Sequence, residues 1–282
     1  MPHLPAEVAG RRGRPRVWPL RRIVEAILYL DRTGCPWRYV PQDFSPWRTA
    51  HGYFAAWRDD GMLARLQDML RAQVRAEAGR DPEPTAPVID SESVRAVDTV
   101  PEASRGWDYA KKVNGRKRHI AVDALGLLLA EVITAASVPD RDAARPPLWN
   151  LHRACRASAL IWADSVYPGK LAAWAASMKI TLQIVVRRNS HAFEVLPRRW
   201  VVERTFAWIS KHRRTVRDYE RLPGQPRSDD LVGHGHPHGV PAGAAQPFIK
   251  HSLRRIAMLC RSDLHRSRLP IGFWGKPSLR MT

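Results

Sequence analysis

The period of the apolar residues changes once along this chain, and that change limits the folds open to it. Up to residue 80 apolar side chains recur at helical spacing. Beyond a proline-rich stretch, Arg-Asp-Pro-Glu-Pro-Thr-Ala-Pro at residues 80–87, they gather in short runs of strand type. Leu20, Ile23, Val24, Ile27 and Leu28 fall at i, i+3, i+4, i+7 and i+8, and Thr33-Gly34-Cys35-Pro36 ends the helix they define. Ser45 is placed as an N-cap with Pro46 at the first helical position, and Trp47, Ala50, Phe54 and Trp57 follow. After Asp60-Gly61 a third helix carries Leu63, Leu66, Leu70 and Val74. Three short helices with tight turns fit a helix-turn-helix type module, or equally a small bundle used for dimerisation.

After the linker, Val88 to Val94 has strand character with Asp90 inside it, and Asn114-Gly115 is a turn signal between Lys111-Lys112 and Arg116-Lys117-Arg118. Ile120 to Asp123 and Leu127 to Ala135 form a hairpin about Leu125-Gly126. Ala159 to Ala163 is a buried-type strand ending at Asp164, Leu171 to Met178 a helix, and Leu182 to Val186 a further strand. Strands first, then alternating helix and strand, predict an α/β fold: a mixed sheet flanked by helices, preceded by the small helical domain. The expected division is 1–80, 81–222 and 223–282.

The 46 Lys and Arg residues give a formal net charge of +19, spread along the chain. That distribution suits a polyanion such as nucleic acid. The first 17 residues, with Arg14 and Arg16 in a Gly-Arg-Arg-Gly-Arg-Pro-Arg run, form a basic arm able to follow phosphates. No apolar run approaches the roughly 18 to 20 residues of a membrane span, and no secretory signal opens the chain. Cys35, Cys155 and Cys260 are too scattered for a disulfide framework or a Cys-x-x-Cys zinc site, so a reducing cytoplasm is expected.

From Arg198 to Arg214 a single acidic residue, Glu203, stands in a basic and aromatic helix. On a helical wheel Val201, Val202, Thr205, Phe206, Trp208 and Ile209 share the core-facing arc, and Glu203 lies outside it near Arg199, Ser210 and Arg214. Taken alone, Glu203 is an exposed acid paired with Arg199 one turn earlier. Taken with Asp90 and Asp164, it completes three carboxylates that a mixed sheet covered by helices could bring together. Hard oxygen donors of this kind suit one or two magnesium ions. Glu92, Asp98, Asp108, Asp123 and Asp140 compete for the same role.

Several separate blocks carry a resemblance. They are Ala26 to Leu30 with Arg32-Thr33-Gly34-Cys35-Pro36-Trp37-Arg38; Val88-Ile89-Asp90-Ser91; Lys111-Lys112 with Gly115 to His119; Ala163-Asp164 with Tyr167 and Gly169; and Leu196 to Trp208. From about Arg11 to Leu222 the chain resembles the DDE-type insertion-sequence transposases of the insertion-sequence-five group, whose catalytic core is ribonuclease H-like. The resemblance implies that Asp90, Asp164 and Glu203 are the catalytic, metal-binding triad, with two Mg2+ ions for which Mn2+ can substitute. It also implies that Arg199 helps to place DNA, while Lys111, Lys112, Arg116, Lys117, Arg118, Arg14 and Arg16 hold phosphates. The implied partners are double-stranded DNA, as terminal inverted repeats and target, and a second copy in a homodimer on that DNA, with no membrane involved. The implied location is bacterial, cytoplasmic and nucleoid-associated. Trp208 is expected in the core, and Trp200 either there or against DNA.

The chain departs from the pattern in places. Ser165-Val166 replace small glycines, Leu196 stands for a tyrosine of the wider signature, and Lys211 lies one position beyond the usual basic site. The start, close to the basic arm, is expected to lack one short helix. After Leu222 helical periodicity and resemblance both end, and Gly233-His234-Gly235-His236-Pro237-His238 follows. Back-translated and read one base later, Gln225 to His238 can encode an amphipathic helix, so a frameshift near Pro223-Gly224 is expected to have replaced the last core helix. The expectation is therefore a metal-dependent transposase, or a degenerate or inactive copy of one. A non-catalytic DNA-binding remnant occupying transposon ends is the second reading, and a structure-specific nuclease the third.

Overall fold

The computed structural model describes residues 17–155, 158–164, 167, 169–185 and 199–219. The arm with Arg14 and Arg16, the Ser165-Val166 pair, Leu196 and the tail after Leu222 lie outside the described residues.

The first part is helical: α1 (Leu20–Thr33), α2 (Trp47–Asp59) and α3 (Met62–Glu77). Ile23, Val24, Ile27 and Leu30 of α1 meet Ala50, Phe54 and Trp57 of α2 and Leu63 of α3 in one apolar cluster. Gly34 ends α1 with φ +72°, a left-handed geometry that glycine adopts without cost, and its N–H closes on the Leu30 carbonyl at 2.8 Å. The start of α2 differs from expectation. Pro46 is the N-cap, its carbonyl accepting from the N–H groups of Thr49 and Ala50 at 2.8 and 3.1 Å, whereas the buried Ser45 hydroxyl has no hydrogen-bond partner among the described residues. On α3 the sequence stresses the leucines, yet Gln67, Arg71 and Arg75, at four-residue spacing, are also buried.

The second part is a six-stranded mixed sheet. Its strands are β1 (Val88–Arg95), β2 (Gly106–Asp108), β3 (Val113–Val122), β4 (Leu128–Ala135), β5 (Leu160–Asp164) and β6 (Thr181–Val185). In space β6, β5, β1 and β3 lie side by side, and β2 and β4 both pair with β3. β1 runs antiparallel to β3 and parallel to β5, β5 parallel to β6, and β3 antiparallel to both β2 and β4. Helices cover both faces. Leu148 and Leu151 of α5 (Arg145–Ala154) and Leu171 and Ala175 of α6 (Lys170–Ser177) pack with Ile89, Ala121, Ile161 and Ala163, with the short α4 (Asp140–Ala143) leading into α5. Val201, Val202, Phe206 and Ile209 of α7 (Trp200–Ser210) pack with Val88, Ile120, Val122 and Trp162 on the opposite face.

Asn114-Gly115 is not a turn. Both residues belong to β3, opposite Trp107 and Gly106, and the chain reverses a few residues earlier, where Lys112 takes φ +52°. The glycine answers to packing: a Cβ at 115 would stand 2.0 Å from the Val94 carbonyl oxygen of the paired strand. The helix expected to continue to Arg214 stops at Ser210 and restarts as α8 (Arg213–Val216). His212 between them is extended and its Nδ1 lies 2.6 Å from Asp31 of α1, while the Thr215 hydroxyl bonds back to the His212 carbonyl at 2.7 Å.

The two parts are fastened together by polar contacts. Gln67 donates to the Leu128 carbonyl at 2.6 Å, and Arg75 forms a buried ion pair with Asp123 in the turn between β3 and β4. Asp123 also accepts from the N–H groups of Leu125 and Leu127 at 2.9 and 2.8 Å, so one carboxylate shapes the turn and receives α3. α7 reaches the same turn, with the Thr205 hydroxyl donating to the Gly126 carbonyl at 2.9 Å and Arg204 to that of Leu125 at 3.0 Å.

Candidate active site

Val88 of β1 pairs with Trp162 of β5 in parallel register, so Asp90 and Asp164, each two residues further along, come side by side on the same face of the sheet. That is the face covered by α7. The N-cap of α7 is Arg199, and its Nη2 lies 3.4 Å from Asp90 and 3.1 Å from Asp164. One largely buried guanidinium thus bridges both carboxylates. The Asp90 Oδ1 also accepts its neighbour's N–H, from Ser91, at 2.7 Å. Burial raises the Asp90 carboxyl above its ordinary value; the Ser91 N–H and the Arg199 and Lys111 charges pull the other way, and Asp164 adds to the rise.

Glu203 is exposed in the first turn of α7, four residues after Arg199 and so on the same side of the helix. Among the described residues no three His, Cys, Asp or Glu side chains converge closely enough to hold a metal ion. Two of the three expected carboxylates are therefore adjacent, and the third is one turn of α7 beyond the cation that bridges them. The donor set fits a hard divalent cation: two carboxylates from neighbouring strands already face one shared positive charge.

The basic residues divide into two groups. Lys111 and Lys112 are exposed in the reversal between β2 and β3, and the Lys111 Nζ lies 3.2 Å from the Ser91 carbonyl, beside Asp90. Arg116, Lys117 and Arg118 are buried within β3. Arg116 pairs with Asp218 at 3.2 Å, Lys117 with Asp140 at 3.0 Å, and Arg118 with Glu92 at 3.2 Å and Glu131 at 3.8 Å. Their charges are neutralised inside the protein, as buried charges require. Four of the acids named as competitors are engaged elsewhere: Glu92 with Arg118, Asp140 with Lys117 and Asp123 with Arg75, while Asp108 lies 3.6 Å from Lys117 and accepts from the Ala110 and Lys111 N–H groups.

Two further residues stand behind the site. Tyr167 is buried, its hydroxyl raised by burial and by the Asp90 and Asp140 carboxylates, with the Ser91 side chain pulling the other way. His119 is buried on β3 opposite Ser91, 3.0 Å from the Thr134 hydroxyl, and burial lowers it to about 4. In the sequence they appeared only within the blocks of the resemblance. The available signal was their place, three residues after Asp164 and directly across the ladder from Ser91. On α7, Trp208 is half-buried against the core and Trp200 is 43% exposed, with the Arg204 guanidinium 4.4 Å from the Trp200 ring and 4.6 Å from that of Trp208.

Three strands paired antiparallel, two more added in parallel beside the first, and aspartates on the two adjoining central strands define the ribonuclease H-like class of fold. Comparison with known proteins agrees. The family described as “Transposase DDE domain” matches residues 81–225, and the one described as “Putative transposase of IS4/5 family” matches residues 1–67. A relative from Burkholderia cepacia, named “Putative transposase for insertion sequence element IS402”, is 34% identical over 115 residues, covering 38% of this chain and 54% of the relative. The chain thus spans about half the length of that curated relative. The protein belongs to the DDE transposase family of the IS4/5 type.

Proposed function

We propose that the protein is the transposase of an insertion sequence, cleaving phosphodiesters at the element's ends and joining the freed 3′-hydroxyl to target DNA. The observation that carries this is the placement of Asp90 and Asp164 side by side under the α7 N-terminus, with Glu203 one turn further on. Asp90, Asp164 and Glu203 are the residues that would hold magnesium, as two ions, with manganese able to substitute. When bound, the metal supplies Lewis-acid activation of the attacking oxygen and stabilisation of the leaving one.

The chain's own residues do the rest. In each step one P–O bond forms as another breaks, first with water and then with the 3′-hydroxyl as nucleophile. Asp90 and Asp164, relieved of Arg199, would present their carboxylates together beneath the α7 N-terminus. Arg199, released from the two carboxylates, is placed to receive a phosphate oxygen. Lys111 and Lys112 flank the site for the DNA backbone, and Arg14 and Arg16, in the basic N-terminal sequence, would add phosphate contacts of their own. Arg116, Lys117 and Arg118 serve to hold the sheet together. The working form is a homodimer on double-stranded DNA in the bacterial cytoplasm, at the nucleoid. Among the described residues no helix is long and apolar enough to cross a membrane.

The test is nicking of a duplex carrying the element's own terminal inverted repeats, with and without magnesium. Metal-dependent cleavage that Asp90→Asn abolishes supports the proposal. Salt-sensitive binding without cleavage favours the second reading, a DNA-binding remnant. That reading draws on the Arg199 guanidinium already occupying the position between the aspartates.

A further inference from the structure

Among the described residues the polar contacts to the sheet domain come from α1 and α3, and the side of α2 that carries Arg48 and Gly52 is exposed. Asp31 of α1 holds His212, and Gln67 and Arg75 of α3 hold the turn between β3 and β4. On the remaining side, Arg38 and Arg48 are exposed and both lie against one indole, their guanidinium carbons 5.7 and 5.4 Å from the Trp47 ring. Several other arginines of this module have carboxylates nearby: Arg21 and Arg22 at Glu25, Arg58 at Asp59, Arg71 at Asp68. Among the described residues neither Arg38 nor Arg48 makes an ion pair, and the exposed Asp43 between them in sequence makes none either.

Two like charges gathered on one ring without a counter-ion form an arrangement that a polyanion favours and water alone does not. Both guanidinium groups are exposed beside the indole, and a guanidinium offers a planar N–H fork that suits a phosphate. Tyr39, next to Arg38, is 73% exposed. One turn beyond Arg48, Gly52 is exposed in the middle of α2, and a Cβ there would meet nothing within 4 Å. A glycine weakens a helix interior, and no internal contact requires this one. Its missing side chain leaves room for the backbone of another molecule.

We propose that Arg38, Tyr39, Trp47, Arg48 and Gly52 form a docking face for the phosphates of duplex DNA, with α2 as the helix laid against the duplex. The inference rests on the transposase reading and says which surface of the helical module meets the DNA.

The test uses the full chain and a fluorescein-labelled DNA duplex of mixed sequence, about three helical turns long, with anisotropy followed as salt is raised. In Arg38→Gln/Arg48→Gln the slope of log K against log salt should fall by about 1.8, two phosphate contacts at about 0.9 each. Arg21→Gln/Arg22→Gln removes the same charge from α1 and should leave the slope unchanged. Gly52→Glu should weaken binding at a melting temperature no lower than that of the unaltered protein. An equal fall in both arginine pairs, no fall in the first, or undiminished binding by Gly52→Glu would each overturn the proposal. So would equal binding of an RNA duplex with the same loss of slope. If the unaltered chain binds no DNA, the transposase reading falls as well. If metal-dependent nicking persists while the slope ignores Arg38 and Arg48, only this docking face is rejected.

Discussion

The guanidinium of Arg199 stands 3.1 Å from the carboxylate of Asp164, so the N-terminus of α7 is tied to the carboxyl end of β5 by a side-chain ion pair. Asp90 shares that cation at 3.4 Å. A divalent ion would meet both carboxylates with two charges where the arginine offers one, with Lys111 the next cation beside Asp90.

Removing the arginine should reveal this. Arg199→Gln is expected to lower stability at pH 7 by about 1–3 kcal/mol, the cost of leaving partly buried carboxylates unpaired. Magnesium should restore more of the melting temperature to the variant than it adds to the unaltered protein. Thermal melts with and without magnesium chloride check both points, and an equal magnesium effect in the two proteins counts against a shared cation position.

Asp90→Asn should abolish cleavage and raise the melting temperature at neutral pH. Burial raises the folded-state value of this carboxyl above 3.8, so its favourable contribution is complete below 3.8 and is lost as pH rises through the folded value. The amide has no charge to bury. The difference between the two melting temperatures should therefore shrink toward zero in acid, and a variant no more stable at pH 7 would contradict the assignment.

For His119 the sign is reversed. Its folded value of about 4 lies below the ordinary 6.5, so the stability it supports is present above pH 6.5 and is lost as pH falls toward 4. The full window corresponds to about 3 kcal/mol at 1.36 kcal/mol per unit. Denaturant titrations at stepped pH should show this slope, and His119→Gln, which can still donate to Thr134, should flatten it.

Gly115→Ala should fail to give stable protein. A methyl 2.0 Å from the Val94 oxygen cannot be relieved by turning a side chain, because both partners are backbone. Forced separation of β1 from β3 is expected to cost more than about 3 kcal/mol. Soluble yield and circular dichroism check the outcome; a native melting temperature would contradict the register of the two strands.

Much of the layout was legible because it depends on neighbours in sequence. The α1 spacing with its Gly34 stop, the α2 aromatics, and the hairpin about Gly126 all follow from local period and turn chemistry. Asp90 and Asp164 were legible as strand residues, but their adjacency comes from a parallel register that no local pattern encodes. The Arg116-Lys117-Arg118 run misled for the same reason. A basic tripeptide suggests a phosphate surface, and its acidic partners Asp218, Asp140, Glu92 and Glu131 are distant in the chain or on other strands. Asn114-Gly115 carries a turn's composition, yet a strand needs that glycine because another backbone passes close by. Ser45 had the composition of a cap and was displaced by the proline beside it.

The turn from Asp123 to Leu128 receives α3 from one side of the sequence and α7 from the other. As the chain leaves the ribosome, Arg75 emerges 48 residues ahead of the carboxylate it will pair with. Arg204 and Thr205 follow the turn by more residues still, so a single short turn in mid-chain is where the two ends of the fold are joined.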